Sequence, residues 1–256
     1  MAMCEVHGVE RKPIEANGRV IGEQCPECSF ELIESTRKRG SEEDSKVVRE
    51  NEVNSRRQAK QKRLDLVGIP PRFRSRRLKN YQAVTDKQRM ARKMVADYTE
   101  RLLSGAVCGG LVLTGNPGTG KTHLACAVAN AYQKQDKTVA FMSVAAMIRK
   151  IRESYRPDSA MTEGEAISAF RDIDLLLLDE VGRQKGDEKE INLLMEVINE
   201  RYGWEKPTVL ISNLDLGKMN SLLGEPIIDR MREDGGMVID FDWESFRGQA
   251  SSVHRA

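Results

Sequence analysis

Gly115-Asn116-Pro117-Gly118-Thr119-Gly120-Lys121-Thr122 decides the fold. The octet fits G-x-x-x-x-G-K-[ST], the P-loop, and its flanks supply the context that the motif requires. The apolar run 110–114 leads in and reads as a buried strand; residues 123–129 lead out and read as a helix. Glycines let backbone N–H groups wrap a phosphate without a side-chain clash, and the helix N-terminus adds partial positive charge at the same place. In this reading Gly115 to Gly120 cradle the phosphates of ATP. Lys121 reaches the β- and γ-phosphates, and the Thr122 hydroxyl holds Mg²⁺.

Asp174-Leu175-Leu176-Leu177-Leu178-Asp179-Glu180 is an apolar run ending in two acids, a Walker B pattern. Four leucines in succession suit a strand buried on both faces of a parallel sheet, and such sheets bind ligands outside the carboxyl ends of their strands. Asp179 is expected to orient Mg²⁺, and Glu180 to polarise the water that attacks the γ-phosphate. A third run, Thr208–Ser212, ends at Asn213. At the carboxyl edge of a central strand this amide would contact the γ-phosphate or the attacking water, and it resembles sensor 1 of the AAA+ ATPases. Alone, an Asn before a loop is a turn residue; its place after the Walker B strand favours the site.

The 256 residues are 39% hydrophobic and 31% charged, enough for one good-sized domain plus an extension. The net charge is +2, so any nucleic-acid footprint has to be local. No apolar run approaches the ~20 residues of a membrane span, and the N-terminus has no signal-peptide core. The expectation is a cytoplasmic protein with reduced cysteines and no membrane partner.

Cys4-x-x-His7 and Cys25-x-x-Cys28 form two spaced pairs. Three thiolates and an imidazole suit tetrahedral Zn²⁺, and Asn17-Gly18 between them reads as a hairpin turn. The segment 1–33 resembles a zinc ribbon. A thioredoxin-like reading of Cys25-x-x-Cys28 lacks its βαβ context. Cys108 and Cys126 flank the P-loop in apolar surroundings and read as core.

Residues 34–80 form a charged connector. From Arg56 to Lys79 ten basic residues face the single acid Asp65, a block that suits nucleic acid or an acidic partner; Arg56–Arg63 taken alone equally suits a solvated helix face. Gly68-Ile69-Pro70-Pro71 breaks any helix. The ATPase domain is expected over 81–256. Thr85-x-x-Gln88 and Thr162-x-x-Glu165 resemble capping boxes. Met90, Met94, Tyr98 and Leu102 make an apolar stripe at helical spacing. Strands are also expected at 138–144 and 236–241. Five strands alternating with helices predict an α/β fold with a parallel sheet and right-handed crossovers.

The C-terminal third carries a family resemblance. The stretch 221–232, ending in Asp229-Arg230-Met231-Arg232, and the stretch Asp242-Trp243-Glu244-Ser245-Phe246-Arg247 resemble the DnaC helicase loaders of the DnaC/IstB group, as do 68–73 and 78–81. The resemblance covers about residues 65–250. It implies a five-stranded P-loop AAA+ core without the C-terminal helical lid. It also implies that Arg230 is an arginine finger reaching the γ-phosphate of a neighbouring subunit, so that self-association runs through the ATP sites, and that Arg247 is the sensor 2 arginine. Arg149, Arg152, Tyr155 and Arg156 fall where such loaders place an element that binds single-stranded DNA. The implied activity is ATP hydrolysis coupled to loading a hexameric replicative helicase onto single-stranded DNA. The alternatives are an IstB-like transposition ATPase acting on duplex DNA, and a nucleotide-gated adaptor with incidental hydrolysis. The zinc-binding segment departs from the best-known loaders, whose N-terminal domain is helical and lacks zinc ligands.

Overall fold

The computed structural model describes residues 2–16, 19–31, 68–106, 109–183 and 188–246. The chain divides into two compact units, Met1–Ala59 and Lys60–Ala256. Most of the 34–80 connector, including the basic residues from Arg56 to Arg63, lies outside the described residues, as do Cys108 and Arg247.

In the first unit, β1 (Lys12–Ala16) pairs antiparallel with β2 (Arg19–Gln24), with a register shift between Ile14 and Glu15. These are the two strands expected on either side of Asn17-Gly18; the turn itself is outside the described residues. A Met3–Glu10 bridge closes the loop before β1, and residues 26–31 form a helical turn after β2.

The second unit is built on β3 (Leu111–Gly115), β4 (Val139–Ser143), β5 (Leu175–Val181), β6 (Thr208–Ser212) and β7 (Met237–Phe241). The sheet order is β4-β5-β6-β3-β7, and every pairing is parallel. Successive strand side chains point to opposite faces. Leu176 and Leu178 accordingly enter one core with Val112 and Leu210, while Leu175 and Leu177 enter the other with Leu111, Leu113, Val209 and Ile211. The leucine run of β5 is therefore buried on both sides, as its composition predicts.

Helices cover both faces: α1 (Asp86–Leu103), α2 (Lys121–Tyr132), α3 (Val144–Glu153), α4 (Glu163–Arg171), α5 (Glu188–Gly203), α6 (Leu216–Leu223) and α7 (Glu225–Arg232). Both expected capping boxes form, Thr85 with Gln88 and Thr162 with Glu165. The stripe on α1 is only partly right. Tyr98 and Leu102 are buried, but Met90 is 58% exposed. A strict four-residue step drifts by about 40° per turn of the pattern, so its start rotates off the buried face. Ala91, Val95 and Thr99 complete that face instead.

Residues 69–80 pack against the sheet unit. Ile69 is buried in its core with Phe73 and Leu78 beside it, and Asn130 Nδ2 of α2 donates to the carbonyls of Phe73 and Arg76. At the amino edge of the sheet, Arg201 is fully buried. It donates to the carbonyls of Phe170, Ile173 and Pro207 and to the Thr208 hydroxyl. Burial pulls its pKa down to about 9.

Candidate active site

The P-loop leaves the carboxyl end of β3 and enters α2. Gly115, Gly118 and Gly120 all have positive φ, at 103°, 77° and 97°. At two of them space also forbids a side chain. A Cβ on Gly115 would lie 2.6 Å from the Phe241 carbonyl oxygen, and one on Gly120 would lie 2.5 Å from the Tyr81 ring. Neighbouring segments fix the loop from outside: the Tyr81 hydroxyl and Trp243 Nε1 donate to the Thr119 carbonyl, and the Phe246 amide donates to that of Gly118. Lys121 is 4% exposed and folds back, its Nζ 2.7 Å from the Gly115 carbonyl oxygen and 2.5 Å from that of Asn116.

Two strands away, β5 delivers the acids. Thr122 Oγ1 donates to Asp179 Oδ2 across 3.1 Å, and Asp179 Oδ1 accepts from the Glu180 amide at 2.7 Å. Burial raises the Asp179 pKa, and the charge of Glu180 adds to this. The β5–β6 register slips between Leu178 and Val181, where two residues of β5 stand opposite one of β6. Glu180 sits in this bulge at φ 60°, a conformation that costs energy for a residue with a Cβ and is found where a site needs it. Its carboxylate forms an ion pair with Arg183. Asn213 is exposed, one residue past β6, where the Ser212 hydroxyl donates to the Val181 carbonyl and ties the two strand ends together.

The donor set suits a hard divalent cation. A hydroxyl and a carboxylate brought side by side are oxygen donors of the kind such a cation takes, directly or through its waters. Beside the loop lies a cavity of about 270 Å³ lined by Arg76, Tyr81, Gly120, His123 and Phe246 among others. Arg76 Nε is buried there and has no hydrogen-bond partner among the described residues. Burial pushes the Tyr81 pKa up to about 12 and lowers that of His123. Tyr81, Trp243 and Arg76 were not legible as site residues one by one. Tyr81 and Trp243 lie in the stretches 78–81 and 242–247 that carry the family resemblance, but nothing in those stretches assigns either side chain to the phosphate loop, and Arg76 falls between 68–73 and 78–81.

Arg230 lies elsewhere. It lines a crevice with Gly110 and Thr208, at the amino ends of β3 and β6, whereas the P-loop leaves the carboxyl end of β3. Five strand residues span about 16 Å, so Arg230 faces away from the P-loop of its own chain. It donates to Asn199 Oδ1. Of the proposed DNA-binding group, Arg149 and Arg156 are exposed, Arg152 pairs with Glu190 at 3.1 Å, and Tyr155 donates to Glu163 with its ring 53% exposed. All four lie on or just beyond α3.

In the first unit, the ligand atoms of Cys4, His7, Cys25 and Cys28 all lie within 4.8 Å of one another. Cys4 and Cys28 sulfurs are 3.8 Å apart, and His7 Nδ1 lies 3.2 Å from Cys28 and 3.7 Å from Cys25. Tetrahedral Zn²⁺ with Zn–S bonds of about 2.3 Å needs sulfur–sulfur edges of about 3.8 Å. His7 Nε2 faces Glu31 at 3.4 Å, a carboxylate that fixes the ring for Nδ1 ligation. Hydrogen bonds from the His7 and Val6 amides bring the Cys4 thiol down to about 6, whereas burial raises Cys28 to about 11 and the neighbouring thiols raise His7 to about 9, so metal binding would have to displace protons from the cluster. The cluster can hold a metal ion of this type. Cys126 is plain core, as expected, its thiol pushed up to about 12 by burial.

Sheet order, P-loop and Walker B acids together define a P-loop protein of the AAA+ class. Residues 35–253 match the model of the family described as IstB-like ATP binding protein, and the chain belongs to that family. Among its relatives in Escherichia coli (strain K12), the uncharacterised protein YdaV is 32% identical over 85% of this chain and 86% of its own length. The replicative helicase loader DnaC of the same strain is 28% identical over 86% and 87%. A crystal structure of the DnaC helicase loader superposes with a TM-score of 0.58 at 21% identity, covering 68% of this chain and all of that one. Among the described residues no helix is long and apolar enough to cross a membrane.

Proposed function

We propose that this chain hydrolyses ATP at a subunit interface and uses the cycle to deliver a hexameric replicative helicase onto single-stranded DNA. The observation that carries the chemistry is the junction of Thr122 with Asp179, which joins phosphate loop and acidic strand at one point. Lys121 exchanges the carbonyls of Gly115 and Asn116 for phosphate oxygens when ATP enters. Mg²⁺, held through Thr122 and Asp179, supplies charge neutralisation at the phosphates. Glu180 takes the proton of the attacking water, and Asn213 orients that water. Arg230 and Arg247 complete the site, the first from a neighbouring copy, the second from its own.

Support for helicase loading comes from the extent of the similarity to DnaC, which spans 86% of this chain. The division of labour assigns residues 1–33 to zinc binding, 34–80 to partner contact and 81–256 to the ATPase, with 69–80 packed into the ATPase core as well. Incubating the full chain with the replicative helicase and circular single-stranded DNA, with and without ATP, tests the reading. Loading that needs ATP and the intact chain is expected. Duplex preference with a transposase partner would favour the IstB-like reading, which the family match makes the specific second choice. Helicase binding indifferent to the ATP site would favour an adaptor.

A further inference from the structure

Arg230 is held by its own chain. Asn199 and Tyr202 stand three residues apart near the end of α5. Arg230 on α7 and Glu233 at its C-cap are also three apart. Residues at this spacing share a helix face, and the two faces meet as two rungs. Arg230 Nη1 donates to Asn199 Oδ1, and the Tyr202 hydroxyl donates to the Glu233 carboxylate. The Tyr202 ring also carries the guanidinium, whose Cζ lies 5.7 Å from the ring centroid.

We propose that Asn199 and Tyr202 are positioning residues that hold Arg230 ready for the phosphates of ATP bound to a second copy of this chain. The proposal rests on the reading of Arg230 as a residue acting in trans. Three points carry it. First, arginine is among the side chains that lose most freedom when ordered, so a finger fixed in advance spares that loss during reaction. Second, the holding groups are an amide oxygen and an aromatic face. Neither neutralises the guanidinium, as a carboxylate would, so the full charge remains for phosphate oxygens. The nearby acid Glu233 is instead engaged by the Tyr202 hydroxyl. Third, among the described residues Asn199 engages one N–H of a fork that carries five, which leaves the others for bidentate contact. Tyr202 is 39% exposed, so the cradle lies at the surface where a neighbour would dock.

The test uses the full-length protein under assembling conditions, with fluorescent-nucleotide binding and steady-state hydrolysis measured on the same samples. Asn199→Ala and Tyr202→Ala are each expected to lower kcat on the order of 10- to 100-fold, with nucleotide affinity and KM unchanged. Tyr202→Phe keeps the ring and is expected to lose less. The decisive arm is the double variant Asn199→Ala with Arg230→Ala. It should be no slower than Arg230→Ala alone, because a positioning residue has nothing left to position, whereas a merely structural residue would add its own loss. An additive double variant overturns the proposal. So does Asn199→Ala hydrolysing at or above the wild-type rate while Arg230→Ala is impaired, the faster case meaning that the cradle restrains the arginine. Wild-type hydrolysis by Arg230→Ala removes the trans reading itself, and the cradle with it.

Discussion

The Thr122 hydroxyl donates to Asp179 across 3.1 Å. One hydrogen bond thus joins the first turn of α2 to the end of β5, residues 57 positions apart in sequence. Asp179 is held on its other oxygen by the Glu180 amide, so the next acid is oriented by the same carboxylate.

Substitutions at the nucleotide site separate binding from chemistry. Lys121→Ala is expected to weaken ATP binding, because the phosphates lose their buried cation. Glu180→Gln should bind ATP normally and hydrolyse it ~100-fold or more slowly, since the amide cannot accept the proton. Rapid-quench hydrolysis with equilibrium nucleotide binding checks both, and an undiminished rate in Glu180→Gln would sink the assignment of the base.

Arg230→Ala should bind ATP and lose on the order of 10³-fold in kcat. Mixing it with Lys121→Ala is expected to recover part of the activity, because a mixed assembly pairs an intact site with an intact finger. Lack of recovery in assemblies shown to contain both variants counts against action in trans.

Purified full-length protein is expected to carry about one zinc per chain. Cys25→Ser with Cys28→Ser should release it and unfold the first unit, because in small metal-stapled segments binding free energy supplies the folding free energy. The ATPase should persist, since its two cores are formed by the sheet and its helices. Metal analysis by mass spectrometry and amide exchange read these out separately; protein purified without chelator and free of zinc would refute the assignment.

Single-stranded DNA binding should fall steeply with salt and require ATP. Tyr155→Ala should cost about 1–3 kcal/mol if the exposed ring stacks on a base. Arg152 is already paired with Glu190, so Arg149→Ala and Arg156→Ala should weaken binding more than Arg152→Ala. Fluorescence anisotropy with a short oligonucleotide measures all four, and equal affinity throughout would place the DNA contact elsewhere.

Arg201→Ala should be the most damaging single change in the ATPase unit away from the nucleotide. It strands three buried carbonyls and the Thr208 hydroxyl, each worth about 1–3 kcal/mol when left unsatisfied. Urea denaturation should show the midpoint falling sharply, and a change within error of wild type would mean that water replaces the guanidinium.

Truncations should respect the packing of residues 69–80. A fragment starting at residue 81 removes Ile69 from the core and takes both carbonyl acceptors from Asn130. A fragment beginning at Lys60 matches the compact unit and is the fairer test of independent ATPase function.

Sequence alone determined the parts whose chemistry is local. A glycine needing positive φ, a lysine at a helix start, four leucines before two acids and two Cys/His pairs at metal-ligand spacing each declare themselves within a few residues, because these patterns are written in near neighbours. The five strands were legible from their apolar runs, and their parallel pairing from the helices that alternate with them. What the tertiary structure decided is everything that depends on residues distant in sequence. The bulge that puts Glu180 at φ 60° arises from the pairing of β5 with β6. The placement of Arg230 at the amino edge, turned from its own P-loop and cradled by Asn199 and Tyr202, depends on how α7 meets α5. Tyr81 and Trp243 became part of the phosphate loop only because the chain brings them onto the Thr119 carbonyl. Such contacts have no periodicity or spacing to read; they are decided by which surfaces remain to be buried once the sheet has formed.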